Sequence, residues 1–187
     1  AGTLSIAEDG NLGGGALTLA DGTTLQVTGA ITIDNNVVLT GAATVQTDAG
    51  VTLSGALSGG NRALTKSGAG TLTLSNTGNE TGLTGGLTVA AGTLAIADDD
   101  ALVGGTLTLD DGTTFQVTGA TTLDNAVALN GAATVQTDAA VTLSGALSGG
   151  NQTLTKSGTG TLTLTNTGNK TGLTGGITVS AGTLAIT

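Results

Sequence analysis

The densest chemistry in this chain is acidic. Asp98, Asp99 and Asp100, followed by Asp110 and Asp111, put five carboxylates within fourteen residues, and calcium takes six to eight oxygen ligands of this kind. The nine-residue Gly-Gly-x-Gly-x-Asp pattern of calcium-binding solenoids is absent. That favours solvated turns over a metal site, but these five residues are the metal candidates and calcium is the one cofactor they suggest. Paired carboxylates can also cleave polysaccharides when a base or cation completes the site. The cations are Arg62, Lys66, Lys156 and Lys170, scattered along the chain, and Lys66 and Lys156 stand at the same place in a repeated motif. An active site is normally unique and asymmetric, so this repetition argues against an enzyme, and no catalytic or cofactor-binding residue is assigned.

The remaining motifs have structural readings. Lys66 and Lys156 could form isopeptide cross-links of the kind known in pilus sandwiches, but such bonds need aromatic shielding, and the expectation is an exposed Lys beside a Gly-rich turn. Gly13-Gly14-Gly15 lacks the Lys-Ser/Thr of a phosphate loop and reads as a turn. Thr71 with Thr73, and Thr161 with Thr163, place two hydroxyls on one strand face as in flat ice-binding solenoids, a pattern any Thr-rich outer face shares. Asn79-Glu80-Thr81, Asn151-Gln152-Thr153 and Asn169-Lys170-Thr171 fit the N-glycosylation acceptor pattern and are read as turn residues.

Composition narrows the classes further. The 187 residues include no His, Cys, Met, Trp, Tyr or Pro and one Phe, so most side chains that carry reaction chemistry are missing. The net charge of −9 with no basic stripe argues against nucleic acid as a partner. No run of about 18 apolar residues would insert this segment into a membrane. Gly fills 34 positions without a Gly-X-Y period, which excludes collagen. With no initiating Met and no signal peptide, the chain reads as a piece of something longer.

The elements that must carry these residues are strands. AGTL recurs at Ala1–Leu4, Ala91–Leu94 and Ala181–Leu184, so residues 1–90 and 91–180 are two copies, roughly three-quarters identical without a gap, and 181–187 begin a third. Within each copy, segments such as Thr24–Val27, Val51–Leu53 and Thr71–Leu74 alternate Leu, Ile or Val with Thr, Ser or Gln, the period-2 pattern of a half-buried strand. Gly, Asn and Asp punctuate the gaps. An immunoglobulin-like sandwich of 90 residues would fill its wide core with large side chains. These inward positions are small and aliphatic, which suits the narrow bore of a β-solenoid with about 20–25 residues per coil, about four coils per copy, the whole chain one continuous rod of about 40 Å.

The order of motifs also carries a resemblance. Leu64–Ile96 and Leu154–Ile186, with Leu-Thr-Lys-Ser-Gly, Gly-Thr-Leu-Thr-Leu, a Gly-Gly before a strand and a closing Ala-Gly-Thr-Leu, resemble the autotransporter-associated β-strand repeat of large bacterial surface proteins. Val51–Gly60 and Val141–Gly150 resemble what leads into that repeat. Leu83 and Leu173 depart from it, standing where the family commonly has an aromatic. The resemblance implies a right-handed parallel β-helix, export to the bacterial surface or the extracellular space, and a stalk, spacer or adhesin role. Neighbouring repeats of the same chain are then the expected partners. The alternative use is a self-assembling fibre with end-to-end or lateral contacts between copies, because open strand edges present unpaired N–H and C=O groups.

Overall fold

The computed structural model describes residues 1–187, apart from the side chains of Lys170 and Thr171. Alternating Thr with Leu, Ile or Val makes short strands, because a pleated backbone sends successive side chains to opposite faces. Gly, Asn or Asp at each corner then bends the chain into the next strand. Three positions complete a coil.

The first turn holds β1 (Gly2–Ile6), a 3-10 segment (Asp9–Leu12) and β2 (Leu17–Leu19). The second is β3 (Thr23–Val27), β4 (Ile31–Ile33) and β5 (Val37–Leu39), and the third is β6 (Ala43–Thr47), β7 (Val51–Leu53) and β8 (Leu57–Ser58). In the fourth, β9 (Leu64–Ser67) and β10 (Thr71–Leu74) lead to a one-turn helix, α1 (Asn79–Gly82). In the fifth, β11 (Leu87–Val89) and β12 (Thr93–Ile96) lead to a second 3-10 segment (Asp99–Ala101). The sixth and seventh are β13 (Leu107–Leu109), β14 (Thr114–Val117), β15 (Thr121–Leu123), then β16 (Val127–Leu129), β17 (Ala133–Thr137) and β18 (Val141–Leu143). The eighth is β19 (Leu147–Ser148), β20 (Leu154–Ser157) and β21 (Thr161–Leu164). The ninth is α2 (Asn169–Gly172), β22 (Ile177–Val179) and β23 (Thr183–Ile186).

Every strand pairing among the described residues is parallel, each strand lying on its counterpart one turn away. The protein is a three-sided parallel β-solenoid. The first face stacks β1, β3, β6, β9, β11, β13, β16 and β19, and the second stacks β4, β7, β10, β12, β14, β17, β20 and β22. The third runs β2, β5, β8 and later β15, β18, β21, β23, with α1 and the Asp99–Ala101 segment bridging the gap. Paired residues on the first face are 20 or 21 apart, except for 23 between Leu64 and Leu87, where the turn also contains α1. Nine turns at about 4.8 Å make a rod about 43 Å long.

The register stacks like on like. Leu25 sits on Val45, Gln26 on Gln46 and Thr24 on Thr44, and the single Phe, Phe115, is enclosed between Leu94 and Val135. Each buried Leu or Val contributes about 1.5–3 kcal/mol, and because each coil contacts only its neighbours, stability adds along the axis.

The expected count of about four coils per copy holds, with a remainder. A 90-residue copy comprises eleven strands, one 3-10 segment and one helix, thirteen positions in all. At three positions to a turn that is four turns and one position over. The second copy is therefore shifted by one face: β1 lies on the first and its counterpart β12 on the second, β4 on the second and β15 on the third, β2 on the third and β13 on the first. The period of the sequence and the period of the coil are therefore not commensurate, although each copy holds about four coils as expected.

Candidate functional site

The acidic candidates do not converge as a group. The Asp98 carboxylate accepts from the Asp100 backbone N–H at 3.1 Å and caps the 3-10 segment. Asp110 accepts from the Asn130 side chain at 3.0 Å, and Asp111 from the Ala132 N–H at 3.0 Å. Asp21 does the same for Ala42 one copy earlier, so this is a corner fastening. Asp99 instead meets Glu80 and Asp124, with carboxylate oxygens all within 4.8 Å of one another. These three come from successive turns: α1, the 3-10 segment above it and the end of β15. Glu80 and Asp124 are the members that sequence spacing missed. The signal was the coil repeat, which sets residues about 19 to 25 apart on one corner.

Burial and mutual repulsion shape this corner. The Asp99 carboxyl is pushed up to about 6, first by burial and then by Asp124, Glu80 and Asp100, while a hydrogen bond from the Asp124 backbone works the other way. One of its oxygens, Oδ1, is shut off from solvent without a hydrogen bond. Glu80 is also raised, by burial, by its hydrogen bond with Asp100, and by the charges of Asp124 and Asp100. Uptake of a proton relieves such repulsion, and these are the carboxylates that could share a divalent cation.

A pH dependence follows. The folded-state pKa of Asp99 lies above its unfolded value, so the stability it contributes is complete below about pH 4 and is lost as pH rises through about 6. Lowering pH from 7 to 5 is expected to raise the melting midpoint by about 3 °C, corresponding to about 1 kcal/mol once solvent screening is allowed for. Asp124→Asn should raise the midpoint at pH 7 and flatten this profile. A midpoint that falls steadily from pH 7 to 5 in the unaltered chain would contradict the assignment.

The second cluster corrects an expectation. Lys66 and Lys156 are not exposed beside a turn; both are fully buried. The reason is strand alternation: Lys66 follows Leu64 by two residues and shares its inward face, stacked between Val45 and Val89. Its stem fills the bore and its Nζ donates to the carbonyls of Ser67 at 2.8 Å and Gly68 at 2.7 Å. Lys156 Nζ donates to Ser157 at 2.6 Å, Gly158 at 3.0 Å and Ala181, in the next turn, at 3.2 Å. Burial lowers Lys66 to about 8 against the attraction of Asp48, and lowers Lys156 against that of Asp138. Each ammonium thus neutralises the carbonyls of a glycine corner from inside.

Other motifs also turn inward. Asn79 is fully buried, accepting from the Leu57 N–H at 2.8 Å and donating to the Ala101 carbonyl at 2.9 Å. Its amide side chain replaces the missing strand ladder of the third face and joins turn three to turn five. Asn169 repeats the lower half, accepting from Leu147 N–H at 2.7 Å. Gly13 and Gly15 form the expected turn and accept from Asn35 at 2.7 and 2.6 Å. Thr71 and Thr73 do face outward together, but the column through Thr73 passes from Thr52 to Ala95, so the hydroxyl pair lasts one rung on that face. The third glycosylation match includes Lys170 and Thr171, whose side chains lie outside those described.

A cavity of about 440 Å³ lies at the ninth turn, lined by Leu147, Leu164, Asn169, Leu173, Ile177 and Ile186 among others. One copy earlier the corresponding Leu57, Leu74, Asn79, Leu83, Leu87 and Ile96 are all buried under the next turn. It is the mouth of the bore. Residues 64–96 and 154–186 each match the family model of the passenger-associated-transport-repeat. Both stretches are thus similar to that repeat, over about a third of the chain. Neither a search of curated proteins nor a search of solved structures returned a match. Each matched stretch spans five coil positions, β9 to β12 and β20 to β23, and so contains the buried Lys, the glycine corner, the Asn that bridges turns (fully buried at Asn79, half-buried at Asn169) and the closing AGTL strand. Of the acidic corner, only Glu80 lies in a matched stretch; Asp99 and Asp124 lie in the sequence between the two matches.

Proposed function

We propose that this chain is a length-setting stalk segment in the passenger region of a secreted bacterial surface protein. The observation that carries this reading is the unbroken parallel stack, in which each strand lies on its counterpart one turn away and the side chains of one copy recur in the next. A coil built this way lengthens by duplication, each 90-residue copy adding about 21 Å at about 4.8 Å per turn. The passenger-associated repeats support placement on an exported polypeptide. Parallel ladders, aliphatic stacks and carbonyl-bound lysines all resist deformation along and across the axis, and none of them needs a ligand.

Small-angle X-ray scattering over a concentration series tests this. The expected result is a rod about 43 Å long whose length does not depend on concentration. A length that grows in steps with concentration would replace the stalk by the fibre alternative, in which separate chains stack end to end.

A further inference from the structure

Within nine turns, each of the three faces is interrupted by a non-strand position. The 3-10 segment Asp9–Leu12 lies on the second face beneath β4, α1 and Asp99–Ala101 lie on the third, and α2 packs against β19 on the first. These corners are where the surface departs from flat strand. The turn containing α1 is the longest on the first-face register, at 23 residues, and Asn76 holds its loop by donating to the Ser54 carbonyl at 3.2 Å and accepting from the Gly78 N–H at 2.9 Å. Asn166 makes the same two contacts in the second copy, at 3.3 and 2.9 Å. The copies also change charge at this loop, where Glu80 is replaced by Lys170.

We infer that each copy turns the array by one face, so that a series of copies displays its corner loops to all sides of the rod and the same azimuth returns only at every third copy. The cause is arithmetic: thirteen positions per copy over three faces leave one over. Three copies make thirteen turns, about 62 Å of axis. A partner binding the corner loops therefore meets a screw of sites around the rod, and a partner needing a one-sided row of equivalent loops finds none. This holds whether the rod serves as a stalk or in a fibre.

The absence of Cys allows the test to be made on the whole chain. Thr77 and Thr167 are exposed counterparts on the two corner loops, and Thr40 and Asn130 are an exposed pair at another corner. Each pair is converted to cysteines (Thr77→Cys with Thr167→Cys; Thr40→Cys with Asn130→Cys), spin-labelled, and measured by pulsed electron resonance. A one-face advance separates each pair by about 20 Å along the axis and about 20 Å across it, giving about 30 Å. Copies in register on one face would give about 20 Å. Distances near 30 Å for both pairs support the inference. The shorter distance for either pair overturns it, and circular dichroism of each labelled chain confirms that the coil is intact.

Discussion

Replacing Lys66 by alanine is expected to lower the melting midpoint by about 9 °C, equivalent to about 3 kcal/mol for a chain of this size. Truncating a buried stem leaves a cavity, and the carbonyls of Ser67 and Gly68 lose a charged donor inside the bore. Relief of the ammonium's own desolvation offsets part of this. Lys66→Met keeps most of the stem volume and removes only the donor, so its cost should be about 1 kcal/mol. The pH profile gives an independent readout. Because the folded pKa is depressed to about 8, the stability linked to Lys66 is complete above its unfolded value of 10.5 and is lost as pH falls through 8. The unaltered chain should therefore gain stability from pH 8 to 10, and Lys66→Met should lose most of that gain. Equal midpoints for Lys66→Ala and the parent would show that the side chain reaches water.

Gly92→Ala is expected to cost about 4 kcal/mol, or about 12 °C in midpoint. Gly92 has φ of +71°, a region L side chains avoid, and a Cβ there would lie 2.5 Å from the Gly70 carbonyl oxygen and 2.6 Å from that of Gly68. Both contacts are backbone, so relief requires neighbouring turns to separate. Gly10→Ala is the control, since a Cβ there meets nothing within 4 Å. Gly92 and Lys66 act on the same Gly68 carbonyl, and the double variant should lose less than the two single losses combined. Strict additivity, measured by thermal unfolding of all four chains, would mean the two groups work on separate corners.

The first prediction concerns a position whose sequence context misleads. Lys66 is one of four cations in the chain, and a lone Lys before Ser-Gly reads as a solvated turn residue. In the structure, strand alternation from Leu64 puts it on the inward face, and burying an ammonium is favourable only because carbonyls are there to receive it, in a corner whose shape is set by Gly68, Gly70 and Gly92 together. Asn79 misleads in the same way. Its glycosylation-like context points outward, whereas its two hydrogen bonds reach residues 22 positions away on either side.

The acidic corner shows the opposite relation. Adjacent aspartates draw attention to Asp98–Asp100 and Asp110–Asp111, yet consecutive strand or turn residues point different ways and rarely share a site. Asp99 meets its neighbours one turn above and one turn below. Only the register, with its changes of one to three residues per turn, brings Glu80 and Asp124 beside it.

Alternation of Leu, Val and Ile with Thr, small side chains at inward positions, and a 90-residue repeat with motifs in a characteristic order were enough to determine the parallel solenoid and the two stretches that match the transport-repeat model. Local chemistry governs those features, and local chemistry is what a sequence displays. The tertiary structure alone decided the change in coil length from one turn to the next, which face each copy begins on, and which side chains meet along the axis. The physical reason is that a coil closes only when its corners and ladders agree across neighbouring turns, a condition set by contacts about twenty residues apart.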